Sequence, residues 1–183
     1  MKPVTLVTSR LVLDELLPSD RDLVVEYCRD PLFERFMLTP WPYQPEHADM
    51  FIEKVAPVGW ATEREFTWAI RHDGEFLGVV GYREASRDIG YWLGGPHREH
   101  GYMSEAVTAV LDWVFASGRE LVRWECVVGN AASMSVARKA GFRYTGERPS
   151  ALGSRDGRPP LSWHAELAAT DDRTPKVGWP RRE

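Results

Sequence analysis

Apolar and polar positions along the chain switch between two periods, and the order of the switches predicts an alternating α/β protein. Val4 to Leu13 reads as a strand, with Leu11 and Leu13 set between Arg10, Val12 and Asp14. Pro18-Ser19-Asp20 is a helix-start signal. Leu23, Val24, Tyr27 and Cys28 follow at helical spacing, and Pro31 lies past the stop. From Leu32 to Tyr43 regular periodicity lapses and Pro40-Trp41-Pro42-Tyr43 crowd together, which predicts a loop whose apolar side chains pack over something. Pro45-Glu46-His47 opens a second helix that carries Met50, Phe51, Lys54 and Val55 as far as Pro57.

The next stretch is a meander. Phe66 to Ile70 alternates, Asp73-Gly74 is a favoured hairpin turn, and Phe76 to Tyr82 returns, with Gly78 and Gly81 marking a bulge or a close approach of backbones. Ile89 to Leu93 is a third strand. A helix from Ser104 to Ser117 then places Val107, Val110, Leu111 and Val114, with Met103 just before it, on one face. Leu121 to Val128 is a central strand, Asn130 to Ala140 a short helix stopped by Gly141, Phe142 to Glu147 a strand, and Leu161 to Ala168 the last strand after a loop rich in Gly, Pro and Arg. The result is a mixed α/β sheet in one domain, residues 1–169, with a parallel crossover through the long helix. The polar segment 170–183 reads as a mobile tail.

Composition narrows the function classes. A net charge of −4 and a pI near 5.8 disfavour a nucleic-acid surface, so an anionic ligand needs a local site. Cys28 and Cys126 lie too far apart for metal-ligand spacing or a disulfide framework, which predicts no metal and a reducing, cytoplasmic setting. No apolar run approaches a membrane span and no signal-peptide layout opens the chain, so neither a membrane nor a nucleic acid is an expected partner.

The chemistry concentrates in Arg98-Glu99-His100-Gly101-Tyr102-Met103. A chain that leaves a strand, turns through Gly94, Gly95 and Pro96 and enters a helix presents unpaired amides at the positive end of the helix dipole. A diphosphate fits such a turn, and so does water. Asn130 opens the next helix at the carboxyl end of the neighbouring strand, with Ser133 beside it; each alone reads as a helix cap, and together they point at the same crevice. No Lys-Ser or Lys-Thr follows Gly101, the dinucleotide fingerprint is absent, and so are the His-Glu-x-x-His, Gly-x-Ser-x-Gly and Cys-x-x-Cys patterns. His97 and His100 either lend positive charge near an anion or sit in solvent.

Three stretches together resemble the GNAT acetyltransferase superfamily, in the branch that includes the ribosomal-protein N-terminal acetyltransferases. They are Ser9-Arg10-Leu11-Val12-Leu13 with Pro18-Ser19-Asp20; Ile89-Gly90-Tyr91-Trp92-Leu93 through Gly101-Tyr102-Met103-Ser104-Glu105-Ala106; and Asn130-Ala131-Ala132-Ser133 with Lys139-Ala140-Gly141-Phe142. Arg98 and Gly101 match the pyrophosphate-loop pattern, and Met103 departs from it where Gly or Ala is usual. The resemblance implies a mostly antiparallel sheet of six to seven strands, splayed between its two central strands and flanked by about four helices.

It also implies an acetyl-coenzyme-A-dependent N-acetyltransferase without a metal, acting on a protein N-terminus or a small primary amine through a ternary complex, as a monomer or homodimer. The implied coenzyme-A contacts are Tyr91, Trp92 and Leu93 on the signature strand, with a main-chain N–H near Leu93 for the thioester oxygen, then Arg98, Glu99, His100, Gly101, Tyr102, Met103 and Ser104 at the turn, and Asn130. Ser133 is the group implied near the sulfur, with Tyr144 as a second acid. Glu125, inside an apolar strand, and Glu147 are base candidates; an ion pair of Glu125 with Arg123 or with another strand's cation is the competing reading, and a bulk-water proton relay with no dedicated base is the other. Glu105 reads as a helix-dipole partner. Trp41 and Tyr43 are expected to flank the acceptor, together with the 149–160 loop. The alternative function is a non-catalytic acyl-coenzyme-A-binding module.

Overall fold

The structure is a computed structural model that describes residues 1–181 of the 183. An eight-stranded sheet runs in the order β1-β2-β3-β4-β5-β6-β8-β7. The strands are β1 (Leu6–Val7), β2 (Val12–Asp14), β3 (Glu65–His72), β4 (Glu75–Arg83), β5 (Asp88–Leu93), β6 (Leu121–Val127), β7 (Arg143–Pro149) and β8 (Leu161–Ala168). The helices are α1 (Arg21–Cys28), α2 (Pro31–Phe36), α3 (Pro45–Met50), α4 (Ala56–Thr62), α5 (Tyr102–Ala116) and α6 (Ala131–Lys139). The mixed α/β class holds, with a wider sheet than expected. The single opening strand is a β1–β2 hairpin instead, because Thr8 N–H bonds Leu11 O at 2.9 Å and turns the chain back on itself.

Two helical segments were not legible. Within the expected 32–43 loop, Asp30 accepts the Leu32 N–H on its side chain and Pro31 takes the first helical position, so α2 forms there. The helix expected to end at Pro57 instead runs on to Thr62: it widens through a π turn, Phe51–Val55, and Pro57 enters near the start of α4, where a missing N–H matters least. Glu63 in the left-handed region ends it.

The sheet divides two apolar layers. On one face α5 and α6 bury Val107, Val110, Leu111, Val114, Met134 and Ala137 against Phe66, Trp68, Val80 and Trp124. On the other, α1 to α4 bury Val24, Tyr27, Cys28, Phe33, Ala48 and Ile52 against Ala69 and Val79. Arg71, nearly buried, ties this second layer to the sheet: it donates to Asp14 at 2.7 Å and, through both terminal nitrogens, to Asp20 at 2.8 and 2.7 Å. Gly78 marks both features: a Cβ there would meet Trp92 O at 2.2 Å, and the β3–β4 register slips beside it, from Ile70–Gly78 to Arg71–Phe76. Residues 170–181, expected to trail, lie against the domain, with the Trp179 ring on Trp124 and Tyr144 and Arg173 bonded to Asp112.

β5 and β6 are parallel and meet at one pairing, Asp88 with Arg123, beyond which they part. Gly94 N–H bonds Leu77 O on β4, so strand alternation turns the main-chain groups of Leu93 and Tyr91 toward the gap. The N-terminal hairpin is pinned near the mouth of this gap by Glu105. Its carboxylate accepts from Thr8 Oγ1 at 2.6 Å, Ser9 Oγ at 3.1 Å, Arg10 N at 3.0 Å and Arg10 Nε at 2.7 Å. Burial opposes its ionisation, but these bonds outweigh burial and bring it down to about 2. A carboxylate lowered on folding stabilises above its unfolded value of about 4.3 and loses that contribution as pH falls toward the folded value. Glu105→Gln should therefore destabilise at neutral pH by on the order of 1–2 kcal/mol. Urea unfolding checks this: the gap between parent and variant should close as the buffer is taken to pH 2, and a gap independent of pH would refute it.

Candidate active site

The turn between β5 and α5 is the one expected to take an anion. Glu99 and Gly101 both have left-handed backbones, φ 68° and 79°, and between them they curl the chain around His100. Among the described residues the amides of Glu99 to Ser104 have no acceptor, because the first helical bond runs from Glu105 N to Gly101 O at 3.2 Å. These donors gather at the N-terminus of a 15-residue helix. Met103 does not obstruct them, since its side chain is buried in the α5 layer of the core.

Arg98 is placed differently from the expectation. Its amide bonds Gly95 O at 3.4 Å, and its guanidinium turns back to Leu93 O at 3.2 Å and to Asp30 at 2.7 Å. It braces the turn against α1 and α2 and does not project toward a guest. Tyr27 completes the brace: its ring lies so close to Gly94 that a Cβ there would be 2.6 Å away, and its hydroxyl meets His97 at 2.8 Å. His97 is thus buried packing, whereas His100 stacks on Tyr102 at the surface. Arg10 reaches the same turn, donating to His100 O at 3.0 Å and covering the Tyr102 ring.

Inside the gap, the structure brings the predicted pair together with a third group, the Tyr91 hydroxyl. Asn130 Oδ1 accepts the Ser133 N–H at 3.1 Å, so Asn130 is the α6 cap. Ser133 Oγ donates to the Tyr91 hydroxyl at 3.3 Å, and that hydroxyl donates to Ser133 O at 2.9 Å. Burial pushes the Tyr91 phenol up, with the Ser133 bond pulling the other way, so the phenol stays protonated. Burial likewise pushes the Cys126 thiol up, and Ser133 lies beside it. Tyr91 was expected to contribute its backbone; the meeting of its hydroxyl with Ser133 was not foreseen. Tyr144 faces elsewhere, tilted on Trp179.

A cleft of about 560 Å³ opens on the α1–α4 face of the gap. Trp92, Tyr91, Asn130 and Ser133 line one side, and the 36–43 segment, Ser150, Leu152 and Pro160 line the mouth. The two loops expected to flank the acceptor both line the mouth of this cleft. Tyr43 lines the cleft from a buried position next to Cys28, whose thiol burial pushes up to about 12. Trp41 is not among the lining residues; it packs on the α1–α4 layer, so its part in the mouth is structural.

Glu125 lines the cleft and is not paired with Arg123, which meets Glu166 at 3.3 Å. It accepts instead from Ser150 Oγ and from Ala151 N at 3.1 Å, with His164 Nδ1 at 3.4 Å. Glu147 accepts the Trp163 indole at 3.0 Å and lies outside the cleft lining. Sequence reasoning missed Glu65, Thr67 and Arg83, which also line the cleft. They sit on strands read only as sheet, and nothing local marks which face of a strand meets a ligand. Among the described residues no group of His, Cys, Asp or Glu gathers as a metal site, and no helix is long and apolar enough to cross a membrane.

With this geometry in view, the comparisons with known proteins agree with one another. A family model described as an acetyltransferase (GNAT) domain matches residues 10–143. The "uncharacterized N-acetyltransferase p20" of Bacillus licheniformis is 31% identical over 121 residues, covering 62% of this chain and 67% of that protein. Mycobacterium smegmatis RimJ in complex with a coenzyme-A disulfide shares the fold with a TM-score of 0.78 at 21% identity, over 91% of this chain and 88% of that one. A Salmonella typhimurium acetyl transferase, described as modifying the N-terminal serine of ribosomal protein L7/L12, aligns with a TM-score of 0.75 at 18% identity, over 88% of this chain and 96% of that one.

Proposed function

Because the chain belongs to the GNAT acetyltransferase family, we propose that it moves the acetyl group of acetyl-coenzyme A to a primary amine, a protein N-terminus or a small molecule, by direct attack within a ternary complex. The observation that carries this reading is the β5–β6 gap. It joins at the single Asp88–Arg123 pairing and runs from a turn of free amides on one side to a lined cleft on the other. Such a gap lets two reactants meet edge to edge while each keeps its own binding surface.

Acetyl-coenzyme A supplies the thioester, and the chain's own groups do the rest. The amides of Glu99 to Ser104 hold the diphosphate, supported by the absence of other acceptors for them. The Tyr91 main-chain groups, turned to the gap, align the pantetheine arm as an added strand, and Leu93, whose own carbonyl is taken by Arg98, stabilises charge on the thioester oxygen through its N–H. The Asn130 side-chain NH₂, which has no acceptor among the described residues, donates to an amide of that arm. Ser133, hydrogen-bonded to a phenol kept protonated by burial, stabilises the leaving sulfur by rotating its hydroxyl toward it.

Glu125, held in place by Ser150 and Ala151, takes the proton of the attacking amine. The overall likeness to acetyltransferases of ribosomal-protein N-termini supports peptide N-termini as one acceptor class. Thiol release from acetyl-coenzyme A, followed across a panel of amines and N-terminal peptides, tests the proposal. Acetylated product with at least one acceptor is expected. Tight coenzyme-A binding with no turnover on any amine would replace the enzyme by a binding module.

A further inference from the structure

The floor of the cleft holds polar groups that the acetyl-transfer chemistry does not use. Register places Thr67 beside Gly81 and Gly81 beside Gly90 across three adjacent strands, and all three line the cleft. Gly81 thus lies next to the Thr67 hydroxyl, and the Arg83 guanidinium covers Gly90. Thr67 is 2% exposed and its Oγ1 has no hydrogen-bond partner among the described residues. A buried hydroxyl left unmatched costs about 1–3 kcal/mol, so a ligand that supplies the partner recovers that energy on binding.

The charge beside this hydroxyl is negative. Glu65 lies two residues along the same face of β3, with Arg83 as its nearest cation at 3.9 Å. Arg83 is already committed to Asp88 through Nε at 3.0 Å and through a second contact from Nη2, and Asp88 is 3% exposed. Two carboxylates and one guanidinium leave one negative charge. Across the cleft stands Glu125 with His164, and on the helical side the titratable groups are Cys28, Tyr43 and His47. Burial pushes the Glu65 carboxyl up; Arg83 pulls it back and Asp88 adds to the rise. A cation beside Glu65 would relieve that burial. Around the mouth, Leu38, Met50, Val55 and Leu152 are exposed and apolar, which suits an aliphatic spacer.

We propose that Glu65 and Thr67 form a subsite for a second, cationic group of the acceptor, so that this protein selects amines carrying a protonated amino or guanidino group beyond the reacting nitrogen. The inference rests on the N-acetyl-transfer reading of the same cleft. β3 lies two strand spacings from β5, roughly 10 Å, and an extended spacer of that reach connects the two nitrogens. A long α,ω-diamine and a peptide with lysine in its second position share this chemistry.

The test compares each with its singly charged counterpart, an alkylamine of equal length and the same peptide with norleucine. It is run in the parent, Glu65→Gln and Thr67→Val, both by calorimetry of the acceptor and by acetylation kinetics. The parent should prefer the doubly charged member of at least one pair, and which pair shows the preference identifies the source of the cation. Glu65→Gln should reduce that preference about tenfold and Thr67→Val severalfold, in KM rather than kcat, with coenzyme-A affinity unchanged as the check on folding. In the parent, the preference in KM for the doubly over the singly charged acceptor should shrink as pH falls and Glu65 protonates; in Glu65→Gln the KM ratio should not change with pH. No preference in the parent, or an undiminished preference in both variants, overturns the subsite. A calorimetric preference that depends on Glu65, without acetylation of any amine, would uphold the subsite and refute the transfer reaction.

Discussion

Gly101→Val should lower the affinity for coenzyme A by about two orders of magnitude while the protein still folds. Steric room is not the reason. A Cβ at Gly101 would have one neighbour, Arg10 Nη2 at 3.5 Å. The reason is the backbone, since Gly101 holds φ 79°, a region that costs a residue with a Cβ about 1–2 kcal/mol and a β-branched one more. The chain relieves that strain by rotating the peptides on either side of residue 101, and the amides of Gly101 and Tyr102 then stop pointing where their neighbours point. A hydrogen bond to a charged group is worth about 1.5–3 kcal/mol, so the loss of one or two accounts for the expected drop. The strain is a small part of a typical domain stability of about 5–15 kcal/mol, so melting should fall by only a few degrees. Gly101→Ala should lie between parent and valine. Calorimetry with coenzyme A, paired with a thermal melt, makes the measurement; an affinity equal to the parent's would remove the diphosphate from this turn.

Ser133→Ala should cut kcat roughly 10- to 100-fold and leave the KM for acetyl-coenzyme A within about twofold. A purely structural serine predicts the opposite pattern. The Asn130 cap bonds the Ser133 amide, which alanine keeps, and alanine is the better helix former, so stability should not fall. Tyr91→Phe removes the partner that holds Ser133 Oγ at 3.3 Å and should lower kcat as well. Because the two hydroxyls act as one unit, the double variant should be little worse than Ser133→Ala alone. Full additivity in this cycle would mean that the hydroxyls work separately, and an unchanged kcat in Ser133→Ala would reduce the residue to its place in the helix.

The parts of the site legible in the chain were those built from neighbours in sequence. The strand, the glycine turn and the helix start follow one another from Ile89 to Ser104, and Asn130 and Ser133 are three residues apart, so their chemistry shows in order and spacing alone. Arg98 shows the limit. It matches the loop pattern along the chain, but its guanidinium is taken by Asp30 on another element, a partner 68 positions away. Trp41 fails for a related reason, because an aromatic in a loop packs wherever the neighbouring layer leaves room, here on the α1–α4 side. Glu125 was visible as a carboxylate in an apolar strand, yet its partners, Ser150, Ala151 and His164, come from a loop and a strand that reach it through the fold.

Local backbone chemistry therefore set the turn proposed to hold the acetyl donor. A positive φ, a cap and a run of unpaired amides need no distant residue, and they can be recognised in a linear string. The cleft floor proposed to meet the acceptor was chosen by pairing across the sheet. Thr67, Gly81 and Gly90 have nothing in common along the chain, and strand register alone puts them side by side beneath Glu65 and Arg83. A shift of one residue in that register would turn each of these side chains to the opposite face, into the α5 layer. Non-local hydrogen bonding, and no pattern in the sequence, decides which groups an incoming amine meets.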